Sequence, residues 1–247
     1  TTVINLATAL SFHNKKILVI DLDPQGNATT GLGLSNSGSS KTIYDVLNGS
    51  SNFEEAIQGT KIKNLKLVSS NVDLSGLEVE TASENRRAFL LKDKIETFLQ
   101  SSQNDFSYIF IDCPPSLSLL TVMSLVVAQS LIVPLQAEFF ALEGLSQLMK
   151  TIERVKEKLN PNLMIRGVLL TMFDKRNKLS SQVDAEARNF FKEKVYQTVI
   201  PRNVRLSEAP SHGVPILIYD KYSSGSKSYS NFADEFLKQE NIMESAA

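Results

Sequence analysis

Short, nearly continuous apolar runs alternate along this chain with stretches in which apolar residues recur every three or four positions. Val3, Leu6, Ala7 and Leu10 fall on one face at helical spacing, so residues 1–12 are predicted to form an amphipathic helix. His13-Asn14-Lys15-Lys16 is a polar break, and Ile17–Asp21 then reads as a buried strand. Residues 26–42, rich in Gly, Ser, Asn and Thr, are predicted to be a loop. Leu65–Ser69 reads as another strand, and Ala88–Leu99 as a helix through Phe89, Ile95, Phe98 and Leu99. Further strands are expected at 108–112, 130–136, 164–173 and 195–201. Helices are expected at 117–128, 142–158, 180–192 and 229–238, with Glu240–Ala247 frayed. This alternation predicts an α/β fold, a doubly wound and mostly parallel sheet with helices on both faces. There is no internal repeat and no long linker, so residues 1–247 are expected to form a single domain.

Composition narrows the chemistry. At 42% hydrophobic, 247 residues can bury a sizeable core. Lys+Arg is 26 against Asp+Glu 27, so any nucleic-acid contact must come from a local patch. The single cysteine excludes an internal disulfide framework and a cage of several thiolates, and fits a reducing cytoplasm. No apolar run approaches the roughly 18 residues of a membrane span. The opening Thr1-Thr-Val-Ile-Asn-Leu-Ala has neither a basic leader region nor an initiating Met, and the amino terminus is expected to be truncated.

The candidate chemistry lies where apolar runs end. Ile17-Leu-Val-Ile-Asp21-Leu-Asp23-Pro-Gln-Gly-Asn27 places two carboxylates at the carboxyl end of a strand, with a Pro/Gly turn at once behind them. Open parallel sheets bind ligands at that edge. Tyr108-Ile-Phe-Ile-Asp112-Cys-Pro-Pro115 repeats the arrangement. It has the form of a Walker B acid, which holds Mg²⁺ through water, and the proline pair enforces an abrupt turn. Two strands delivering acids to one edge suggest a phosphate and Mg²⁺ site. Thr1 and Thr2, at the start of a helix, suit phosphate oxygens and equally suit ordinary capping.

Other residues carry weaker signals. Cys113 reads as a small buried residue, because only His13 and His212 could serve it as a base. His212, in a Pro/Gly loop, reads as structural, and Glu143 as a helix-start capping residue. Arg176, Arg202 and Arg205 follow strands; solvated charge and phosphate contact are both open readings for them.

Taken together, five strings resemble the ParA/Soj family of partition ATPases, which carry a deviant Walker A motif. They are Asp21-Leu-Asp-Pro-Gln-Gly-Asn-Ala-Thr-Thr-Gly-Leu-Gly33, Ile111-Asp-Cys-Pro-Pro-Ser116, Ala141-Leu-Glu-Gly-Leu-Ser-Gln-Leu148, Gly167-Val-Leu-Leu-Thr-Met172 and Val199-Ile-Pro-Arg-Asn-Val-Arg-Leu-Ser-Glu-Ala-Pro-Ser-His-Gly213. They recur in order over nearly the whole chain. The resemblance implies a P-loop NTPase-like fold and an ATP-switched homodimer that binds DNA non-specifically. It also implies a ParB-type centromere-binding partner that stimulates hydrolysis, a cytoplasmic, nucleoid-associated location and no membrane contact. On the same ground, Asp23 would orient the attacking water, Asp21 would support the Mg²⁺ shell and Asp112 would be the Walker B acid. Thr1 and Thr2 would lie at the nucleotide phosphates, Pro201, Asn203 and Met172 at the adenine, and Arg176 and Arg205 at DNA.

The family's Lys-Gly-Gly-Val-Gly-Lys-Thr loop, which stands just ahead of a helix beginning like this one, is absent together with the strand before it. The chain as given is therefore expected to bind ATP poorly and to turn it over slowly, whereas the intact protein is expected to be an ATPase. A MinD-like membrane ATPase would end in a basic amphipathic helix, but Asp234, Glu235, Glu240 and Glu244 make this end acidic. An iron–sulfur carrier would need paired cysteines. A Rossmann dehydrogenase would need G-x-G-x-x-G after a strand. A non-enzymatic DNA-binding scaffold that has lost its phosphate loop is the alternative from another class; the retained Asp21, Asp23 and Asp112 weigh against it.

Overall fold

The structure, a computed structural model, describes residues 1–34, 40–101, 105–138 and 141–246, with the side chains of 142 and 242–246 outside the description. The chain divides into two compact units. One comprises Thr1, Val3–Ala128 and Ala209–Pro215, the other Thr2, Gln129–Glu208 and Ile216–Ala247.

In the first unit, α1 (Thr2–Phe12) precedes β1 (Ile17–Asp21). The predicted loop at 26–42 instead contains a short helix, α2 (Asn27–Gly31), and residues 35–39 lie outside the described residues. Two more short helices, α3 (Ile43–Leu47) and α4 (Phe53–Ala56), lead to β2 (Ile57–Gly59) and β3 (Leu65–Val68). Then come α5 (Leu77–Glu80), α6 (Leu90–Ser101), β4 (Tyr108–Asp112) and α7 (Leu119–Val127). The sheet order is β2-β3-β1-β4. β3, β1 and β4 are parallel, and β2 adds an antiparallel edge.

Burial follows from that order. β1 lies between two strands and is buried along its length. Leu18 and Ile20 join a core with Ile43, Val46, Leu91, Ile95, Phe98 and Met123. Successive side chains on a strand point to opposite faces. Ile17 and Val19, which are also fully buried, therefore show that the second face of β1 is covered too. A strand buried on both faces needs no polar alternation, which is why it reads as a continuous apolar run.

In the second unit, β5 (Ser130–Gln136) and β6 (Met164–Thr171) run parallel with α8 (Ala141–Lys158) as the crossover. Val133, Leu135, Leu145, Val168 and Leu170 form its core with Val183 and Ala187 of α9 (Lys178–Phe191). The strand expected at 195–201 is not formed. Isolated bridges, Val168 with Val195 and Phe173 with Pro201, mark it, with the Tyr196 and Ile200 amides donating to Val168 O and Leu170 O of β6. The reason is local: Gln197 and Thr198 donate their amides to the Glu235 carboxylate, at 2.7 and 2.9 Å, not to a neighbouring strand. The remaining helices are α10 (Val204–Glu208), α11 (Ile216–Tyr219) and α12 (Ser224–Ala246).

Fraying from Glu240 is likewise corrected, since α12 continues to Ala246. Glu240 Oε1 accepts from Arg166 at 2.7 Å, and the Arg166 guanidinium also lies over the Phe236 ring. The Arg166 side chain is only 7% exposed, so Glu240, read as the start of a frayed end, is the partner of a buried cation.

Candidate nucleotide and metal site

In the parallel register of β1 and β4, Asp21 stands opposite Asp112. Leu22 N donates to Asp112 O at 2.7 Å, carrying the ladder one residue further. Adjacent strands lie about 4.8 Å apart, so the two acids are neighbours at the carboxyl edge. The chain then turns: Gly26 N donates to Asp23 O at 2.9 Å, with Pro24 in the turn. Gly26 takes the left-handed φ of 62° that lets α2 begin. Asp23 is half-buried. Its Oδ1 accepts from Gln25 N at 3.0 Å, and its amide donates to Asp21 Oδ1 at 3.2 Å.

Asp21 is fully buried. Its Oδ2 accepts twice from Thr29, from the amide and from the hydroxyl, each at 2.7 Å. Burial nevertheless pushes its pKa up to about 6, and Asp112 adds to the shift; the hydrogen bonds offset only part of it. Desolvation also raises Asp112, with Asp23 adding. Thr1 is the N-cap of α1. Carboxylates that ionise reluctantly gain most from a cation. Among the described residues no group of three His, Cys, Asp or Glu could hold a metal alone. One or two carboxylates with room for water and phosphate oxygens fit Mg²⁺, which rarely has an all-protein cage.

The second unit brings together another set. Met172, directly after β6, has φ 53°, strained for a residue with a long side chain. Phe173 donates to Ile200 O, and Arg202 N donates to Phe173 O, each at 3.0 Å, so Met172 and Pro201 meet at the carboxyl end of β6. Asn203 Oδ1 accepts from Arg205 N at 2.8 Å, and its Nδ2 donates to Ser224 Oγ at 2.7 Å; its amide group is already engaged at the start of α10. Thr2, which groups with this unit, has its hydroxyl 3.2 Å from that of Tyr229.

Both candidate DNA arginines are ion-paired. Arg176 grips Asp174 with two nitrogens, at 3.0 and 2.8 Å, and its side chain is 90% exposed. This guanidinium holds Asp174 down at about 2. Arg205 pairs with Glu208 at 2.9 Å and Asp220 at 3.7 Å.

Cys113 is exposed, not buried as expected. Desolvation at its sulfur and the Asp112 charge push the thiol up to about 11, so it is no nucleophile at neutral pH. Glu143 is in the first turn of α8, where an acid suits the helix dipole, and His212 ends the one-turn helix Ala209–His212. The sequence reading missed Thr29 and the Gly33–Gly213 contact. A Cβ on Gly33 (φ 75°) would stand 2.6 Å from the Gly213 carbonyl oxygen, so the segment behind Asp23 approaches the residue after the Ala209–His212 turn more closely than any side chain at position 33 would allow. The signal for Thr29 was a small hydroxyl residue one turn beyond two strand-end acids.

The AAA-domain family model matches residues 1–165. The chromosome partitioning protein ParA of Caulobacter vibrioides is 48% identical over 247 residues, covering 100% of this chain and 92% of the relative. The chain belongs to the ParA/Soj family of partition ATPases. The sporulation initiation inhibitor protein Soj of Bacillus subtilis is 46% identical over 235 residues, 95% of this chain and 91% of that protein. Among solved structures, cobyrinic acid a,c-diamide synthase from Mycobacterium smegmatis, with bound ATP analog and magnesium, is similar with TM-score 0.83 and 32% identity, covering 96% of this chain and 88% of that one. This ParA/Soj chain therefore has the doubly wound fold of P-loop NTPases, and the fold family binds nucleotide with magnesium. No described helix is long and apolar enough to cross a membrane.

Proposed function

We propose that residues 1–247 act as one ParA-type ATPase domain that hydrolyses ATP to ADP and phosphate and uses the reaction to time its release from DNA. The observation that carries this reading is the in-register pair Asp21 and Asp112 at one sheet edge, with Asp23 in the turn directly behind it. Asp21 and Asp112 would hold Mg²⁺ through its water shell. Bound there, Mg²⁺ would neutralise charge on the terminal phosphates. Asp23, half-buried and fixed by the Gln25 amide, orients the attacking water. Thr1 and Thr2 lie at the phosphate end of the nucleotide, and Met172, Pro201 and Asn203 at the adenine.

Arg176 and Arg205 contact DNA phosphates. Each already has an acidic partner, so phosphate exchanges one anion for another and a single subunit gains little. Two subunits paired by ATP present both patches at once, which turns weak contacts into useful affinity. A ParB-type centromere-binding protein stimulates hydrolysis, and the protein works in the cytoplasm on the nucleoid.

The test is DNA binding by the full-length natural protein with ATP, with ADP and without nucleotide, across a salt series. Binding that requires ATP and weakens with salt is expected. Binding that ignores nucleotide would sink the proposal in favour of a scaffold.

A further inference from the structure

We infer that Thr29 is a positioning residue for hydrolysis: its hydroxyl and amide lock one oxygen of Asp21, so that the other oxygen is presented to the metal side and to the backbone of Asp23. The inference rests on the partition-ATPase reading and extends it to a residue outside the strand-end acids.

Donor and acceptor accounting fixes the arrangement. Ser70 N, at the carboxyl end of β3, can only donate, and it donates to Thr29 Oγ1 at 3.0 Å. The Thr29 hydroxyl must then spend its single proton on another acceptor, and Asp21 Oδ2 lies at 2.7 Å. Thr29 N donates to the same oxygen at 2.7 Å. Oδ2 is thereby saturated by two short bonds. Oδ1 accepts only the longer 3.2 Å bond from Asp23 N and is the oxygen left with capacity.

All three residues are closed off from solvent: Asp21 is 0% exposed, Thr29 1% and Ser70 0%. Water cannot replace a lost partner there without rearrangement. The Ser70 hydroxyl makes no hydrogen bond, so its polar link to Thr29 runs through the Ser70 amide. The chain β3 amide, Thr29 hydroxyl, Asp21 carboxyl, Asp23 amide thus ties the reactive turn to the central strands. Without the hydroxyl, the Asp21 carboxyl is held at Oδ2 by one bond and can rotate about its terminal torsion, which is a broad one. Asp23, anchored through Asp21 Oδ1, would lose its register with the nucleotide.

The experiment compares pairs that differ only in the hydroxyl: Thr29 with Thr29→Val, and Thr29→Ser with Thr29→Ala, in the full-length protein. If Val at this buried site prevents folding, the Ser/Ala pair makes the same comparison. Three readouts are taken: kcat and KM for ATP, the increase in ADP affinity on adding Mg²⁺, and hydrogen exchange at the Ser70 amide. Expected are a kcat at least tenfold lower without the hydroxyl, KM within twofold, most of the Mg²⁺ enhancement of ADP binding gone, and faster Ser70 exchange. Thr29→Ser should keep at least half of the parent kcat. Equal kcat and equal Mg²⁺ enhancement across either pair would overturn the inference. So would equal losses in Ser and Ala, which would assign the effect to the methyl group. A parent protein that turns over no ATP would overturn the ATPase reading itself, and the inference with it.

Discussion

Asp21 in the first unit and Asp174 in the second have opposite fates. Asp21 is fully buried, and its pKa is pushed up to about 6. Asp174 is gripped by Arg176 at the surface and held at about 2. One acid is desolvated without a cation, and its hydrogen bonds come from neutral Thr29 and Asp23 groups. The other already has its cation and serves chiefly to mask an arginine. The contrast separates two kinds of site. A buried, under-compensated carboxyl gains most from an arriving cation. An exposed, compensated pair is prepared for exchange with another anion, which gives weak and salt-sensitive contact.

The largest effect should come from Asp23→Ala. ATP turnover is expected to fall more than about 100-fold with nucleotide binding retained, since a group that orients the nucleophile contributes on that scale. Single-turnover assays alongside nucleotide titration check this; near-normal turnover would remove Asp23 from the reaction.

The pH dependence of stability sharpens the comparison directly. Below about pH 4 Asp21 is protonated in both states, and the folded state retains that proton up to about pH 6. The folded state binds more protons inside this window, so stability falls as pH rises through it, by up to roughly 3 kcal/mol. Asp174 has the reverse sign: its contribution is present above its ordinary value of 3.8 and lost as pH falls toward 2. Urea denaturation from pH 4 to 7 of the parent against Asp21→Asn should show the first slope in the parent alone. Parallel curves would mean that Asp21 is not desolvated.

Gly33→Ala should destabilise by about 2 kcal/mol, because a Cβ meets backbone oxygen at a positive φ. Thermal unfolding measures it, and an unchanged midpoint would show that the Asp23 segment does not rest on Gly213. The smallest effect is expected for Arg176→Ala. Stability should change little, the pair being at the surface, while the salt slope of DNA binding drops by about 1. An unaltered slope would leave Arg176 as a partner of Asp174 and nothing more.

How legible all this was depended on what holds each segment. β1, β4 and β5 were readable as apolar runs, and the strand-end acids of β1 and β4 stood out against them; β1 is buried on both faces, whereas β4 is half-buried and β5 partly exposed. Three failures share a different cause, side chains satisfying backbone or charge. Asn52 accepts from Glu55 N and starts α4 in a polar stretch. Glu235 takes the amides that would have made 195–201 a strand. Arg166 draws Glu240 into the fold. Hydropathy patterning carries no record of such pairings. The gathering of Asp21, Asp23 and Asp112 at one strand edge was legible from their positions. The role of Thr29 depends on Ser70, a residue 41 positions away that no spacing rule connects to it. The strain at Met172 is likewise a product of tertiary structure.

Because Ala209–Pro215 belongs to the first unit, that unit is interrupted in the order of synthesis. Gly33 leaves the ribosome long before Gly213, by roughly 10–40 s at ordinary elongation rates. For that interval the turn bearing Asp21 and Asp23 lacks the residues on which its loop is seated. The nascent chain can therefore pair β1 and β3 early, but the segment behind Asp23 gains its seat only after Gly213 has emerged.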